Sequence, residues 1–177
     1  HLADNYRLYV ISLMGRVFMK PVDCPFHAAE RVLTEIREHA TALQMKENNA
    51  QANHEYFVVV DFHAEATSDK QLMGRMLDGR VTAVLGTHTH VTTADEQILP
   101  KGTAFQCDVG MTGPFESILG RKIESVLEAT LTLNPVSFSV ATEDVRLSGT
   151  YVDACRETGL ATQIGRIVVR ENELERL

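Results

Sequence analysis

Tryptophan is absent from this 177-residue chain, and cysteine, proline and aromatic residues are scarce. The cysteines are Cys24, Cys107 and Cys155, an odd number at wide spacing. Such a set excludes the disulfide framework that small secreted domains use, and it is typical of reduced thiols. We therefore expect a cytoplasmic protein whose stability comes from a hydrophobic core.

Long apolar runs and an excess of positive charge are also missing. The longest apolar stretches have about six residues, whereas a membrane-spanning helix needs about 20. Lysine and arginine number 17 against 24 aspartates and glutamates, which gives a formal charge of −7. Because an acidic chain is unsuited to non-specific contact with phosphates, we expect neither membrane association nor non-specific nucleic-acid binding.

The composition that is present is that of a globular protein, with 44% hydrophobic and 23% charged residues. The length suits about one domain, and we expect residues 1–177 to form a single one. Residues 56–85 follow the order strand, helix, strand, which predicts a βαβ unit with parallel strands at 56–62 and 81–85. The predicted fold class is therefore α/β.

The helix between these two strands has boundary signals at both ends. Ser68 and Gln71 fit a capping box at its start, and Gly79 is placed to end it after Asp78. The apolar residues expected on its packed side are Leu72, Met73, Met76 and Leu77.

Outside this unit the pattern predicts further strands and helices. A helix over 27–47 carries an apolar stripe at three- and four-residue spacing, namely Ala29, Leu33, Ile36, Ala40 and Leu43. A polar connection at 48–53 follows it. The remaining predicted elements are strands at 8–14 and 103–106, a helix at 121–133, and antiparallel strands at 137–142, 145–154 and 161–169.

Histidines follow both strands of the βαβ unit. His88 and His90 lie in a Gly-Thr-His-Thr-His segment at 86–90, and side chains at i and i+2 of an extended chain point the same way. His63 follows the preceding strand, and ligands of open α/β sheets bind beyond the carboxyl ends of strands. Neutral imidazole is a common metal ligand, so we expect the three rings to converge as a metal site. The alternative is a set of polar residues on exposed strand ends.

Three further residues near that edge are candidates for binding substrate or for orienting the ligands. Glu65 follows His63 closely, although a carboxylate before a helix also suits the helix dipole. Asp108 begins a glycine-rich loop at 108–113 whose backbone N–H groups would suit an anion, although most such loops are only turns. Thr89 lies between the two histidines and completes the set.

Motifs of several common enzyme classes do not occur in the sequence. The glycine-rich phosphate loops of dinucleotide-binding and P-loop proteins are missing, and so is the Gly-x-Ser-x-Gly motif of α/β-hydrolases. His63 and Glu65 match the start of a zinc-deaminase signature, but its Pro-Cys-x-x-Cys part is absent. The histidines therefore remain the strongest functional signal.

Six segments together resemble the bacterial YmdB-like metallophosphoesterases, and the match runs from about Val10 to the end of the sequence. The segments are MGRVFM (14–19), DCPF (23–26), VDFHAEATS (60–68), GTHTHV (86–91), TADE (93–96) and DVGMTGP (108–114). The resemblance implies a calcineurin-like α/β sandwich that hydrolyses small phosphodiesters, typically 2′,3′- or 3′,5′-cyclic nucleotides. It also implies two divalent metal ions, iron or manganese, and a homo-oligomer. By the family pattern, His63 and His88 bind one metal ion and His90 binds the other.

The family pattern also contains parts that do not occur in these 177 residues. They are an aspartate at the end of a first strand, a glutamate–asparagine pair, and a Gly-Asn-His segment that includes the proton donor. We therefore expect the chain to be the C-terminal portion of a metallophosphoesterase domain, inactive alone, with the catalytic acid and other ligands upstream. Two alternatives stay open: a mononuclear metal hydrolase complete in this chain, and a non-catalytic metal-binding or assembly module.

Overall fold

The computed structural model of the protein describes residues 6–46, 56–171 and 173. Within these residues the chain forms eight strands and three helices, and strands and helices alternate in its first half. The elements are β1 (Arg7–Met14), α1 (Pro25–Lys46), β2 (Tyr56–His63), α2 (Thr67–Leu77), β3 (Ala83–Thr87), β4 (Gln97–Ile98), β5 (Ala104–Gln106), β6 (Gly113–Pro114), α3 (Ile123–Thr132), β7 (Val145–Ala154) and β8 (Ala161–Arg170).

These strands form two sheets. The larger sheet has the order β1-β2-β3-β5-β4, in which β1, β2, β3 and β5 run parallel and β4 is antiparallel to β5. The smaller sheet has the order β6-β7-β8 and is antiparallel throughout. The predicted α/β class, the βαβ unit and the antiparallel pairing of the last two strands are confirmed.

One face of the larger sheet carries α1, α2 and the main core. Val58, Val60 and Phe62 of β2 are buried, and they belong to one cluster with apolar residues of both α1 and α2. Burying each such side chain stabilises the fold by about 1.5–3 kcal/mol. The predicted stripe of α1 is confirmed at its buried positions, Ala29, Leu33, Ile36 and Ala40.

The opposite face of the larger sheet packs against the smaller sheet through small residues. Ala83, Ala104 and Ala161 form a second buried cluster, in which the last of the three belongs to β8. A hydrogen bond also joins the segments that lead into the two sheets: Thr82, just before β3, donates its hydroxyl to the carbonyl of Gly159, just before β8, at 2.7 Å. The described residues therefore form three layers: α1 and α2, the mostly parallel sheet and the antiparallel sheet.

Two predictions about α2 are wrong. The helix begins at Thr67 after Ala66, and no side chain caps it, so Ser68 lies inside the first turn and forms no capping box. Leu72 is 57% exposed, because the buried side of the helix carries Asp69 and Lys70 with Met73 and Leu77. The prediction that Gly79 ends the helix is confirmed by its left-handed backbone, with φ at 79°.

Other boundaries differ from the predicted ones. The strand predicted from residue 81 begins at Ala83, and α3 ends where Leu133 adopts a left-handed backbone with φ at 57°.

The strand predicted at 137–142 does not form. Val140 makes one isolated bridge, and both Phe138 and Val140 are exposed with no described strand beside them. Their alternation with serines misled the prediction. Glu47 and the predicted connection at 48–53 lie outside the described residues.

The described helices differ in how far they are covered. α3 contains no buried residue, and its Leu127 and Leu131 are 54% and 74% exposed.

Across residues 6–46, 56–171 and 173, no helix combines the length and apolar character that crossing a bilayer requires.

Gly86 is a packing constraint that substitution can test. A Cβ atom at this position of β3 would lie 1.8 Å from the carbonyl oxygen of Cys107. We expect Gly86→Ala to lower the free energy of unfolding by about 3 kcal/mol, because neither backbone can move without breaking the sheet. Urea denaturation measures the change.

Gly149 of β7 provides the matched control, because a Cβ atom there meets nothing within 4 Å. Gly149→Ala should raise stability by about 0.5 kcal/mol, since alanine restricts the unfolded chain more than glycine does. Equal denaturation midpoints for the two variants would contradict the packing argument.

Candidate metal centre

The two candidate ligand segments lie side by side at the carboxyl ends of β2 and β3. The parallel register of these strands sets His63 opposite Thr87, so that the next residue, His88, follows beside it. The Nε2 atom of His63 and the Nδ1 atom of His88 are 3.0 Å apart, and the two rings are nearly perpendicular. The prediction that both strands present histidines at one sheet edge is therefore confirmed.

A chain of hydrogen bonds determines which nitrogen of His63 carries its proton. Thr87 donates its hydroxyl to the Oδ1 atom of Asp61 at 3.3 Å, because a carboxylate accepts and does not donate. The same hydroxyl oxygen then accepts the proton on Nδ1 of His63, at 3.0 Å. Neutral His63 thus has its lone pair on Nε2, the atom that faces His88.

Glu65 determines the proton position of His88 in the same way. Its Oε2 atom is 2.5 Å from Nε2 of His88, so that nitrogen carries a proton directed at the carboxylate. Nδ1 of His88 is 3.0 Å from Nε2 of His63, which bears a lone pair, and this is hydrogen-bond distance. In a neutral His88 imidazole Nδ1 bears a lone pair as well, so a cation can replace the proton between the two nitrogens, and neutral imidazoles oriented by a carboxylate or hydroxyl are typical metal ligands. The donor chemistry therefore fits a divalent metal ion.

The histidine segment does not have the extended backbone that was predicted for it. His88 and His90 have φ angles of 135° and 64°, so the chain bends after β3 rather than continuing as a strand. The argument that i and i+2 side chains point the same way is wrong here for that reason. His90 nevertheless lines the same cleft as His63 and His88, which has a volume of about 170 Å³.

Asp108 also lines this cleft, and its carboxylate already accepts three hydrogen bonds. Oδ2 accepts the backbone N–H of Thr89 at 2.8 Å and an ammonium hydrogen of Lys70 at 3.2 Å. Oδ1 accepts the backbone N–H of Gly110 at 3.0 Å. Of the two predicted roles, binding substrate or orienting the ligands, this geometry favours the second. Thr89 contributes its backbone to that bond and directs its hydroxyl to the carbonyl of Val91.

The part of the chain that the structure describes does not contain a complete metal site. No group of three or more His, Cys, Asp or Glu side chains in residues 6–46, 56–171 and 173 is arranged to hold a metal ion. His63 and His88 converge, whereas His90 lies in the same cleft without joining them. Two imidazoles are too few donors for a catalytic metal site, which typically uses three protein ligands.

The sequence matches the family model of the YmdB-like proteins over residues 1–167. The chain belongs to the YmdB-like family. It is 42% identical over 172 residues to a Bacillus subtilis protein named 2′,3′-cyclic-nucleotide 2′-phosphodiesterase, an alignment that covers 97% of this chain and 60% of that protein.

Two solved structures are similar to this YmdB-like protein. One is a crystal structure of a hypothetical protein from Thermus thermophilus, with 41% identity and a TM-score of 0.76 over 93% of this chain and 57% of the other. The second is a crystal structure of a phosphatase from Mycoplasma pneumoniae, with 28% identity and a TM-score of 0.74 over 94% and 55% of the two chains. The alignments thus cover 55–60% of the length of these three relatives. The predicted family and its α/β fold are confirmed.

Sequence reasoning missed three residues of the site. Asp61 and Thr87 orient His63, and Lys70 neutralises Asp108. A signal for Asp61 was available, because it is an acidic residue inside an otherwise apolar strand two positions before His63. Lys70 has no such signal, since a lysine on an amphipathic helix is ordinarily on the exposed face.

Cys107 lies next to Asp108, and its thiol should be chemically inert. Burial and the adjacent carboxylate of Asp95 raise the pKa of Cys107 to about 12, so at pH 8 only about 1 in 10,000 is thiolate. The pKa of Cys24 is lowered by the backbone N–H of His27, and that of Cys155 by the hydroxyl of Thr158. We expect iodoacetamide at pH 8 to label the latter two and spare Cys107.

Mass spectrometry of the labelled YmdB-like protein measures this pattern. Labelling in urea is the control, since all three thiols should react once the chain is unfolded. Early modification of Cys107 in the native protein would show that the loop before Asp108 opens to solvent.

Proposed function

We propose that this YmdB-like chain is the histidine-bearing part of a metal-dependent phosphodiesterase that hydrolyses cyclic nucleotides. The observation that carries the proposal is the approach of His63 Nε2 to His88 Nδ1 at 3.0 Å, which brings one ring nitrogen of each histidine to a single point. The similarity to a protein named as a 2′,3′-cyclic-nucleotide phosphodiesterase supports this substrate class. The 3′,5′-cyclic nucleotides are the second candidate substrates.

The residues that would hold metal are His63 and His88 for one ion and His90 for a second, with iron or manganese as the proposed metals. Bound divalent ions supply Lewis acidity for phosphodiester hydrolysis and lower the pKa of water. The remaining ligands and the proton donor are proposed to come from residues upstream of these 177. Anionic donors are needed, because three neutral imidazoles offset none of the repulsion between two cations.

The other residues of the site hold these ligands in place. Asp61 and Thr87 orient His63, Glu65 orients His88, and Asp108 holds the backbone between His88 and His90.

We also propose that the protein is a cytoplasmic homo-oligomer. The three cysteines are unpaired, as in proteins of reducing compartments. The uncovered leucines of α3 support self-association, since contiguous exposed apolar surface marks interaction sites. Sedimentation velocity of the complete protein tests the oligomer.

His88→Ala in the complete protein tests the metal assignment. The variant loses a nitrogen donor that no neighbour can replace, so Mn²⁺ binding and cyclic-nucleotide turnover should each fall by more than about 100-fold. The fold should persist, because His88 lies beyond the strand end. Calorimetric titration and kinetics with 2′,3′-cyclic AMP provide the measurements.

His27→Ala is the matched control, because His27 is an exposed histidine of α1. It should leave Mn²⁺ affinity and turnover unchanged. Full metal occupancy in His88→Ala would remove the basis of the proposed function.

Glu65→Ala tests the orientation of His88. Without the carboxylate the imidazole can rotate and change its tautomer, so we expect metal affinity to fall by about 10- to 100-fold, less than for His88→Ala. Glu65→Gln keeps an oxygen acceptor and should lie between wild type and Glu65→Ala. If Glu65→Ala and wild type bind Mn²⁺ equally, the 2.5 Å contact has no role in holding the ligand.

A further inference from the structure

Lys70 is a buried charge that the proposed reaction does not use. Its side chain is 3% exposed and that of its partner Asp108 is 1% exposed. Their closest atoms, Nζ and Oδ2, are 3.2 Å apart. Buried ion pairs often contribute little net stability, because desolvation opposes the attraction between the charges. Stability alone therefore does not account for a lysine on the buried side of α2.

The partner of Lys70 is also the acceptor that holds the histidine loop. The same Oδ2 atom of Asp108 accepts the backbone N–H of Thr89, which stands between His88 and His90. Both histidines have positive φ angles, a backbone conformation that is uncommon in residues other than glycine. The Asp108 carboxylate contacts the backbone between them, at the N–H of Thr89.

The lysine side chain also packs against the first residue of the Gly-Thr-His-Thr-His segment at 86–90. A Cβ atom built on Gly86 would lie 3.0 Å from Cδ of Lys70, so the stem of the lysine runs against the first residue of the Gly-Thr-His-Thr-His segment. Its ammonium group then reaches the carboxylate that holds Thr89. Lys70 thus connects α2 to the histidine loop.

We propose that Lys70 is a positioning residue for the histidine site. Its charge holds the Asp108 carboxylate toward the N–H of Thr89, and this contact sets the backbone that presents His88 and His90. The consequence for metal binding and turnover rests on the proposed function, whereas the consequence for the loop does not.

Lys70→Met tests the proposal in the complete protein, because methionine keeps an apolar stem and removes the charge. We expect the dissociation constant for Mn²⁺ to rise by about 10- to 100-fold and kcat/KM for 2′,3′-cyclic AMP to fall similarly. In the metal-free protein, the amide resonance of Thr89 and the ring-nitrogen resonances of His88 should shift in ¹H–¹⁵N spectra.

Lys70→Met/Asp108→Asn is the second variant. It leaves no unpaired buried charge, and the amide oxygen of asparagine can still accept the N–H of Thr89. Mn²⁺ affinity should recover in part, to a value between those of Lys70→Met and wild type. If Lys70→Met does not fold, the double variant decides the question. A Mn²⁺ dissociation constant of the double variant equal to that of wild type would then overturn the proposal.

Asp78→Ala is the matched structural control. Asp78 is buried at the other end of α2, where it accepts the backbone N–H groups of Lys101 and Thr103. This variant should lower the melting temperature but leave Mn²⁺ affinity and the His88 resonances unchanged.

A folded Lys70→Met protein with wild-type Mn²⁺ affinity and unmoved Thr89 and His88 resonances would show that the lysine has a purely structural role. If the wild-type protein itself neither binds Mn²⁺ nor hydrolyses cyclic nucleotides, the proposed function fails. The resonances of the metal-free proteins then decide the positioning role separately.

Discussion

The parallel register of β2 and β3 is the constraint on which the candidate site depends. It sets His63 opposite Thr87, and the hydroxyl of that threonine determines which nitrogen of His63 bears the proton. A shift of one residue would turn the side chains of one strand to the other sheet face. The buried apolar side chains of β2 resist such a shift, so the packing of the core and the geometry of the histidines are not independent.

Buried carboxylates on or beside α2 connect the loops to the sheet. Asp69 accepts the backbone N–H groups of Arg16 and Val17 in the loop that follows β1. Asp78 holds the turn before β5, and Asp108 holds the histidine loop. An unsatisfied buried backbone N–H is costly, and a charged acceptor makes a strong bond with it. α2 and its contacts therefore determine the positions of loops at both ends of the parallel strands.

The orientation of the two converging imidazoles carries more chemical information than their presence alone. Histidine pairs are common in proteins, but here Thr87 and Glu65 each hold one nitrogen of a ring, so that the other nitrogens of His63 and His88 meet at one point. Nearby acceptors of this kind raise ligand basicity and restrict ring rotation. The chain's membership of the YmdB-like family indicates which residues to consider together. The geometry then distinguishes them, because Thr87 contacts His63 and Glu65 contacts His88.

The sequence by itself determined the order of elements from β1 to β3, the α/β class and the edge at which His63 and His88 meet. These follow from local periodicity and from apolar runs, which act over a few neighbouring residues. Only the tertiary structure decided that Ser68 is no cap, that the His88–His90 backbone bends and that Lys70 is buried against Asp108. The partners of Lys70 and of Thr89 lie 38 and 19 residues away along the chain. No local pattern encodes which distant carboxylate will supply the countercharge, because that is settled only when the layers pack.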